Sequence, residues 1–152
     1  MSERMNDELR DLYQEVILDH NRRPRNFGRL DDANRHAEGY NPLCGDRIDL
    51  TLRIEDDRVQ AIAFEGSGCA ISTASASLMT EALKGRSVAA AHALFKSFHD
   101  LLTHGSENAE ELGKLAVLAG VREFPIRVKC ATLAWHTLEA ALAQKDHPVS
   151  TE

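Results

Sequence analysis

RIDLTLRIEDDRVQAIAFEG, residues 47–66, is the stretch on which the fold class turns. Ile48, Leu50, Leu52 and Ile54 alternate with Arg47, Asp49, Thr51 and Arg53, the period-two pattern of a half-buried strand. Asp56 and Asp57 supply a turn, and VQAIAFEG returns as a second strand. Strands joined by so short a connection pair antiparallel. Gly66, Ser67 and Gly68 then end the hairpin, and the period changes. In AISTASASLMTEALKG, residues 70–85, Ile71, Ala74, Leu78 and Ala82 share one helical face, with Gly85 as a stop.

Upstream, Asn6 is a helix cap with Asp7 and Glu8 in the first turn. Leu9, Leu12, Tyr13, Val16 and Ile17 follow helical spacing until Pro24 and Gly28 break it. Downstream, SVAAAHALFKSFHDLLTH and NAEELGKLAVLAG read as two further helices, and a last helix runs from about Val128 to Gln144 after Pro125. The predicted fold is α+β: a small antiparallel sheet of about three strands, covered on one face by helices. A chain of 152 residues accommodates this as one domain, residues 1–152, with residues 1–5 and 146–152 as flexible ends.

Bulk composition narrows the function. With 24 acidic and 18 basic residues the net charge is −6, which argues against a general nucleic-acid binder. The four arginines Arg22, Arg23, Arg25 and Arg29 form a local basic arm, read first as a solvated loop. No apolar run has the length of a signal peptide or a membrane span, so a cytoplasmic location is expected. There, Cys44, Cys69 and Cys130 stay reduced, and an odd number cannot pair off within one chain.

Cys44 and Asp46 flank Gly45 in a loop shaped by Asn41 and Pro42. Cys69 opens a helix behind a glycine turn, and Cys130 is placed in the first turn of the last helix. A helix N-terminus favours thiolate over thiol. Three thiolates and one carboxylate satisfy tetrahedral Zn²⁺, although the paired CxxC spacing of closed structural zinc sites is absent. On spacing alone the metal signal is weak, and three buried cysteines acting as small apolar residues are the common reading. Other chemistries fit less well. His136 falls roughly 120° around the helix from Cys130, against a Cys–His dyad. His36-Ala37-Glu38 has the H-x-E spacing of zinc deaminases, but their P-C-x-x-C is missing. Gly66-Ser67-Gly68 precedes the small residues 72–77, but Ile71 stands where a G-x-G-x-x-G fingerprint needs its third glycine, so they are read as a close-packing face rather than a phosphate site.

NPLCGDRI, EGSGCAIS and IRVKCATLAW, in that order, resemble the three motifs of the IscU/NifU N-terminal family of iron–sulfur cluster assembly proteins. The resemblance runs over nearly the whole chain and implies that family's two-layer fold. Two departures are similar to its SufU branch: Lys129 stands where the IscU scaffolds carry histidine, and the stretch between Cys69 and Cys130 is longer, by a helical insertion around Ser97 to Leu115. That branch implies a zinc-dependent sulfurtransferase that takes persulfide sulfur from a SufS-type cysteine desulfurase and works with other iron–sulfur assembly proteins. Carried over by the resemblance, the zinc ligands are Cys44, Asp46, Cys69 and Cys130, and Cys44 is the sulfur acceptor. Arg127 is an auxiliary basic residue, able to pair with Asp46 or to steady a departing thiolate, or simply solvated. The alternative is a scaffold that holds an Fe–S cluster on the same cysteines.

Overall fold

A computed structural model describes residues 7–104, 112–143 and 149–150. Helix α1 (Asp7–Arg22) leads to strands β1 (Arg35–Asn41), β2 (Asp46–Glu55) and β3 (Arg58–Ser67). Helices α2 (Ala70–Leu83) and α3 (Val88–His104) follow, then a 3₁₀ helix (Gly113–Glu123), helix α4 (Pro125–Leu142) and a two-residue strand, β4 (Val149–Ser150). The expected α+β architecture is present. Its three antiparallel strands carry β4 as a short parallel addition, in the order β3-β2-β1-β4. Asn6 lies outside the described residues, as do the side chains of Leu9, Leu12 and Tyr13; Val16 and Ile17 pack against the core.

The β2–β3 hairpin forms where its alternation predicts. Asp56 and Asp57 both adopt positive φ (53° and 58°), the backbone of a two-residue turn whose twist matches the flanking strands. In register, Leu50 faces Phe64 and Leu52 faces Ile62, and all four are buried under the helices. At roughly 1.5–3 kcal/mol for each large apolar side chain fully buried, this inner face is a main source of stability.

Strand β1 carries no such pattern. Its inward positions are Ala37, Gly39 and Asn41, too small or too polar to register as a hydrophobic alternation. The sheet recruits it through tertiary pairing, Ala37 opposite Leu50 and Asn41 opposite Asp46. Val149 and Ser150, within the tail read as a flexible end, pair with Gly39 and Tyr40.

The last helix begins earlier than predicted. Pro125 occupies its first turn, where the missing N–H costs nothing, so α4 opens at the proline rather than after it. Cys130 consequently sits in the second turn, not the first. Of the helix read into NAEELGKLAVLAG, residues 108–111 lie outside the described residues, Leu112 is the N-cap of the 3₁₀ segment, and residues 113–120 belong to that segment. Trp135 ties α4 to its neighbours. It is fully buried, stacks on Phe98 of α3 at 4.8 Å, and donates its indole N–H to Ser75 Oγ of α2 at 3.2 Å. Ser75 in turn donates to Ala131 O at 2.5 Å. The small residues of α2 thus hydrogen-bond neighbouring helices as well as allowing close packing.

Candidate metal centre

Three elements deliver side chains to one point. The β1–β2 connection, residues 42–45, carries Cys44, with its N–H donating to Asn41 O at 3.3 Å. Gly45 turns the chain with φ of 72°, a conformation that disfavours any residue with a Cβ, and so sets Asp46 at the head of β2. Cys130 reaches the same place from α4. One ligand atom each from Cys44, Asp46 and Cys130 lies within 4.8 Å of the other two, and the Cys130 thiol is 3.2 Å from Cys44 Sγ.

Cys69 stands beside this triangle. Its Sγ is 4.0 Å from Asp46 Oδ2 and accepts the Ser72 N–H at 3.4 Å, as the N-cap of α2. Its backbone N–H donates to Asp46 Oδ1 at 2.9 Å. Asp46 is therefore the hinge of the cluster: one oxygen is fixed by the backbone of residue 69, and the other faces sulfur. The carboxylate fits because residue 68 is glycine, where a Cβ would stand 2.5 Å from Asp46 Oδ1. A methyl group has no room there.

The environment is dry on one side and open on the other. Asp46 and Cys130 are buried, whereas Cys44 and Cys69 are half-exposed. Burial above all pushes the Cys130 thiol well above its ordinary pKa, and hydrogen bonding with Asp46 and Cys44, with Cys69 nearby, pushes it the same way. A divalent cation would reverse that balance by favouring the deprotonated sulfur. Three soft sulfurs and one hard oxygen, two of the four donors buried, fit a four-coordinate divalent metal with a labile oxygen ligand.

Asn41 is the residue the sequence reading passed over. It is fully buried, its Nδ2 donates to Cys130 Sγ at 3.7 Å, and its Oδ1 accepts the Leu43 N–H at 3.2 Å. An asparagine before proline was legible as turn chemistry, but its reach to a sulfur 89 residues away was not.

Arg127 is exposed, with its guanidinium 5.3 Å above the Phe124 ring. Lys129 is half-buried. His136 packs its ring against Phe95 and His99. A second acidic group, His36, Glu38 and Asp49, lies on the outer face of the sheet. There Arg29 and His36 both contact the Asp49 carboxylate and offset the repulsion of Glu38 directly across the strand pair.

Among the described residues, no helix is long and apolar enough to cross a membrane. The family model for the NifU-like N-terminal domain matches residues 12–147. The chain is 45% identical over 143 residues to the zinc-dependent sulfurtransferase SufU of Bacillus subtilis (strain 168), covering 93% of this chain and 96% of that one. It is 46% identical over 136 residues to the iron–sulfur cluster assembly scaffold protein IscU of Streptococcus pyogenes serotype M1, covering 88% and 84%. A crystal structure from Fervidobacterium islandicum, described as a candidate iron–sulfur cluster assembly scaffold for the SUF system, superposes with a TM-score of 0.79 at 35% identity, covering 84% of this chain and 94% of that one. The match spans the hairpin, the glycine turn and the last helix that together bring Cys44, Asp46 and Cys130 to one place with Cys69 beside them, and the chain belongs to the NifU-like N-terminal domain family.

Proposed function

We propose that this protein is a zinc-dependent sulfur acceptor in iron–sulfur cluster assembly, with Cys44, Asp46, Cys69 and Cys130 as metal ligands and a SufS-type cysteine desulfurase as sulfur donor. The observation that carries the proposal is the convergence of Cys44, Asp46 and Cys130 within 4.8 Å, with Cys69 held against Asp46. The similarity to the Bacillus subtilis protein, over nearly its full length, supports zinc and sulfur transfer.

A bound metal ion would keep the cysteine sulfurs deprotonated at neutral pH. The rest is the work of the chain. Cys44 and Cys69 are both half-exposed, but Cys69 Sγ caps helix α2 while Cys44 lies on a short connection between strands, which favours Cys44 as the sulfur that meets a donor. Its thiolate attacks the outer sulfur of the donor's persulfide. A new S–S bond forms on Cys44 Sγ, the S–S bond to the donor cysteine breaks, and that cysteine leaves as a thiolate with the bonding electron pair. The outer sulfur keeps its proton, and no oxidant is consumed. Cys130, buried and hydrogen-bonded by Asn41, stays behind as an anchor.

The rim suits a protein donor. Leu43, beside Cys44, is 59% exposed, and Ile126, one helical turn before Cys130 on the same face, is 57% exposed. A donor docked over Cys44 would cover these apolar side chains and gain from their burial.

A scaffold that holds an Fe–S cluster on the same cysteines is the second reading, favoured by the Streptococcus pyogenes relative. Lys129 at the position before Cys130 favours the first, since the histidine expected of a scaffold there is missing. Metal analysis of protein purified without added metal, with an assay of a cognate desulfurase, separates them. One equivalent of zinc and strong stimulation of the desulfurase are expected. An iron–sulfur chromophore that moves intact to an apo-acceptor would overturn the sulfur-acceptor reading in favour of the scaffold.

A further inference from the structure

We infer that Asn41 is a positioning residue of the metal centre: its side-chain amide donates to Cys130 Sγ while its carbonyl oxygen holds the loop that carries Cys44. The inference rests on the reading of Cys44 and Cys130 as metal ligands. The orientation of the amide follows from chemistry, because the Leu43 N–H can only donate. The Asn41 atom facing it at 3.2 Å must therefore be oxygen, which turns Nδ2 toward Cys130 at 3.7 Å. Asn41 is 0% exposed, so water cannot replace either partner. Its backbone oxygen also accepts the Cys44 N–H at 3.3 Å. One residue thus couples the buried sulfur of α4 to the loop that bears Cys44.

Two consequences follow for a metal held there. An N–H···S bond withdraws electron density from the Cys130 thiolate and raises the energy needed to move charge from that sulfur to the metal. It also fixes the direction of the sulfur lone pairs, the way partners beyond the ligands orient a centre.

The test uses the full chain loaded with Co²⁺ and the substitution Asn41→Ser. A serine oxygen can still accept the Leu43 N–H, as turn-forming hydroxyls do, but is too short to reach Cys130 Sγ. The expected result is a sulfur-to-cobalt absorption band that remains in N41S but moves to lower energy, with Co²⁺ binding roughly tenfold weaker. Weaker binding with the band unmoved would mean purely structural damage and would also overturn the inference. N41S with the wild-type band position and affinity overturns the inference. A wild-type chain with no sulfur-to-cobalt band overturns the metal reading itself, and the Asn41 role falls with it, so the two failures are distinguishable. Should N41S fail to fold, asparagine-labelled wild-type protein decides the matter by NMR. The Asn41 side-chain amide protons are expected to shift on metal loading and again when Cd²⁺ replaces Zn²⁺; invariant resonances overturn the inference.

Discussion

Gly68 and Asp46 are fitted to each other: a Cβ at position 68 would lie 2.5 Å from Asp46 Oδ1, the oxygen that accepts the Cys69 N–H at 2.9 Å. The glycine before the second cysteine is a clearance for the carboxylate, and the next backbone N–H holds that carboxylate in place. Gly68→Ala should push Asp46 out of the cluster without opening the core, because residue 68 is exposed on its other sides. We expect zinc affinity to fall roughly 10–100-fold, the range for disturbing a group that orients a ligand. Competition against a coloured chelator measures it, and wild-type affinity in G68A would remove the claim that Asp46 needs this clearance.

Cys44→Ala is expected to abolish sulfur acceptance while the chain still folds, since residue 44 lies on a half-exposed loop rather than in the core. Labelled persulfide delivered by a cysteine desulfurase, followed by mass-spectrometric mapping, reads this directly. Persulfide on Cys69 or Cys130 at normal yield in the variant would reassign the acceptor.

Removal of a bound metal should lower thermal stability. The ligands tie the β1–β2 connection, the start of α2 and α4 together, and apparent binding energies of ~10–16 kcal/mol appear as folding stability in small zinc units. The larger core here makes the loss partial. At about 2–4 °C per kcal/mol for a chain of this size, we expect Tm to fall by about 10 °C on chelation. A Tm unmoved after zinc is verified as gone would show that the metal does not tie these segments.

His20 is expected to make the fold sensitive to acid. It is buried at the end of α1, with Nδ1 2.7 Å from Ser77 Oγ of α2. Burial chiefly, and the Arg25 charge, hold its pKa below the ordinary 6.5, against the opposing pull of Glu81 and Asp19. A histidine with a depressed folded-state pKa takes up its proton first in the unfolded chain. Its contribution is therefore intact above the unfolded value, near 6.5, and is lost as pH falls through the folded value. Urea midpoints measured from about pH 7.5 down to about pH 5 should decline in the wild type. His20→Asn, which can keep the bond to Ser77 but cannot titrate, should flatten that decline; an unchanged acid limb in the variant would assign the sensitivity elsewhere.

Much of the architecture is legible in local sequence. The alternation of Ile48, Leu50, Leu52 and Ile54, the Asp56–Asp57 turn and the helical spacing after Cys69 each specify their element, because periodicity and turn chemistry act over a few residues. The same locality let the sequence name Cys44, Asp46, Cys69 and Cys130 as candidates by residue type. It also explains the misplaced start of α4: Pro125 was read as an interruption, whereas a proline equally suits the first turn of a helix.

Tertiary structure decided the rest. β1 became a strand although Ala37, Gly39 and Asn41 give it no hydrophobic stripe, because β2 was there to pair with it. Cys44 and Cys130 lie 86 residues apart in the chain and 3.2 Å apart in space, a contact that no local pattern encodes. The roles of Asn41 and Gly68 are of the same kind. One is a buried amide between a turn and a sulfur and the other an absent side chain beside a carboxylate, and each acquires its meaning only when the hairpin packs against α2 and α4. Element type follows from short-range sterics and burial periodicity; the geometry of the centre follows from packing between elements distant in sequence.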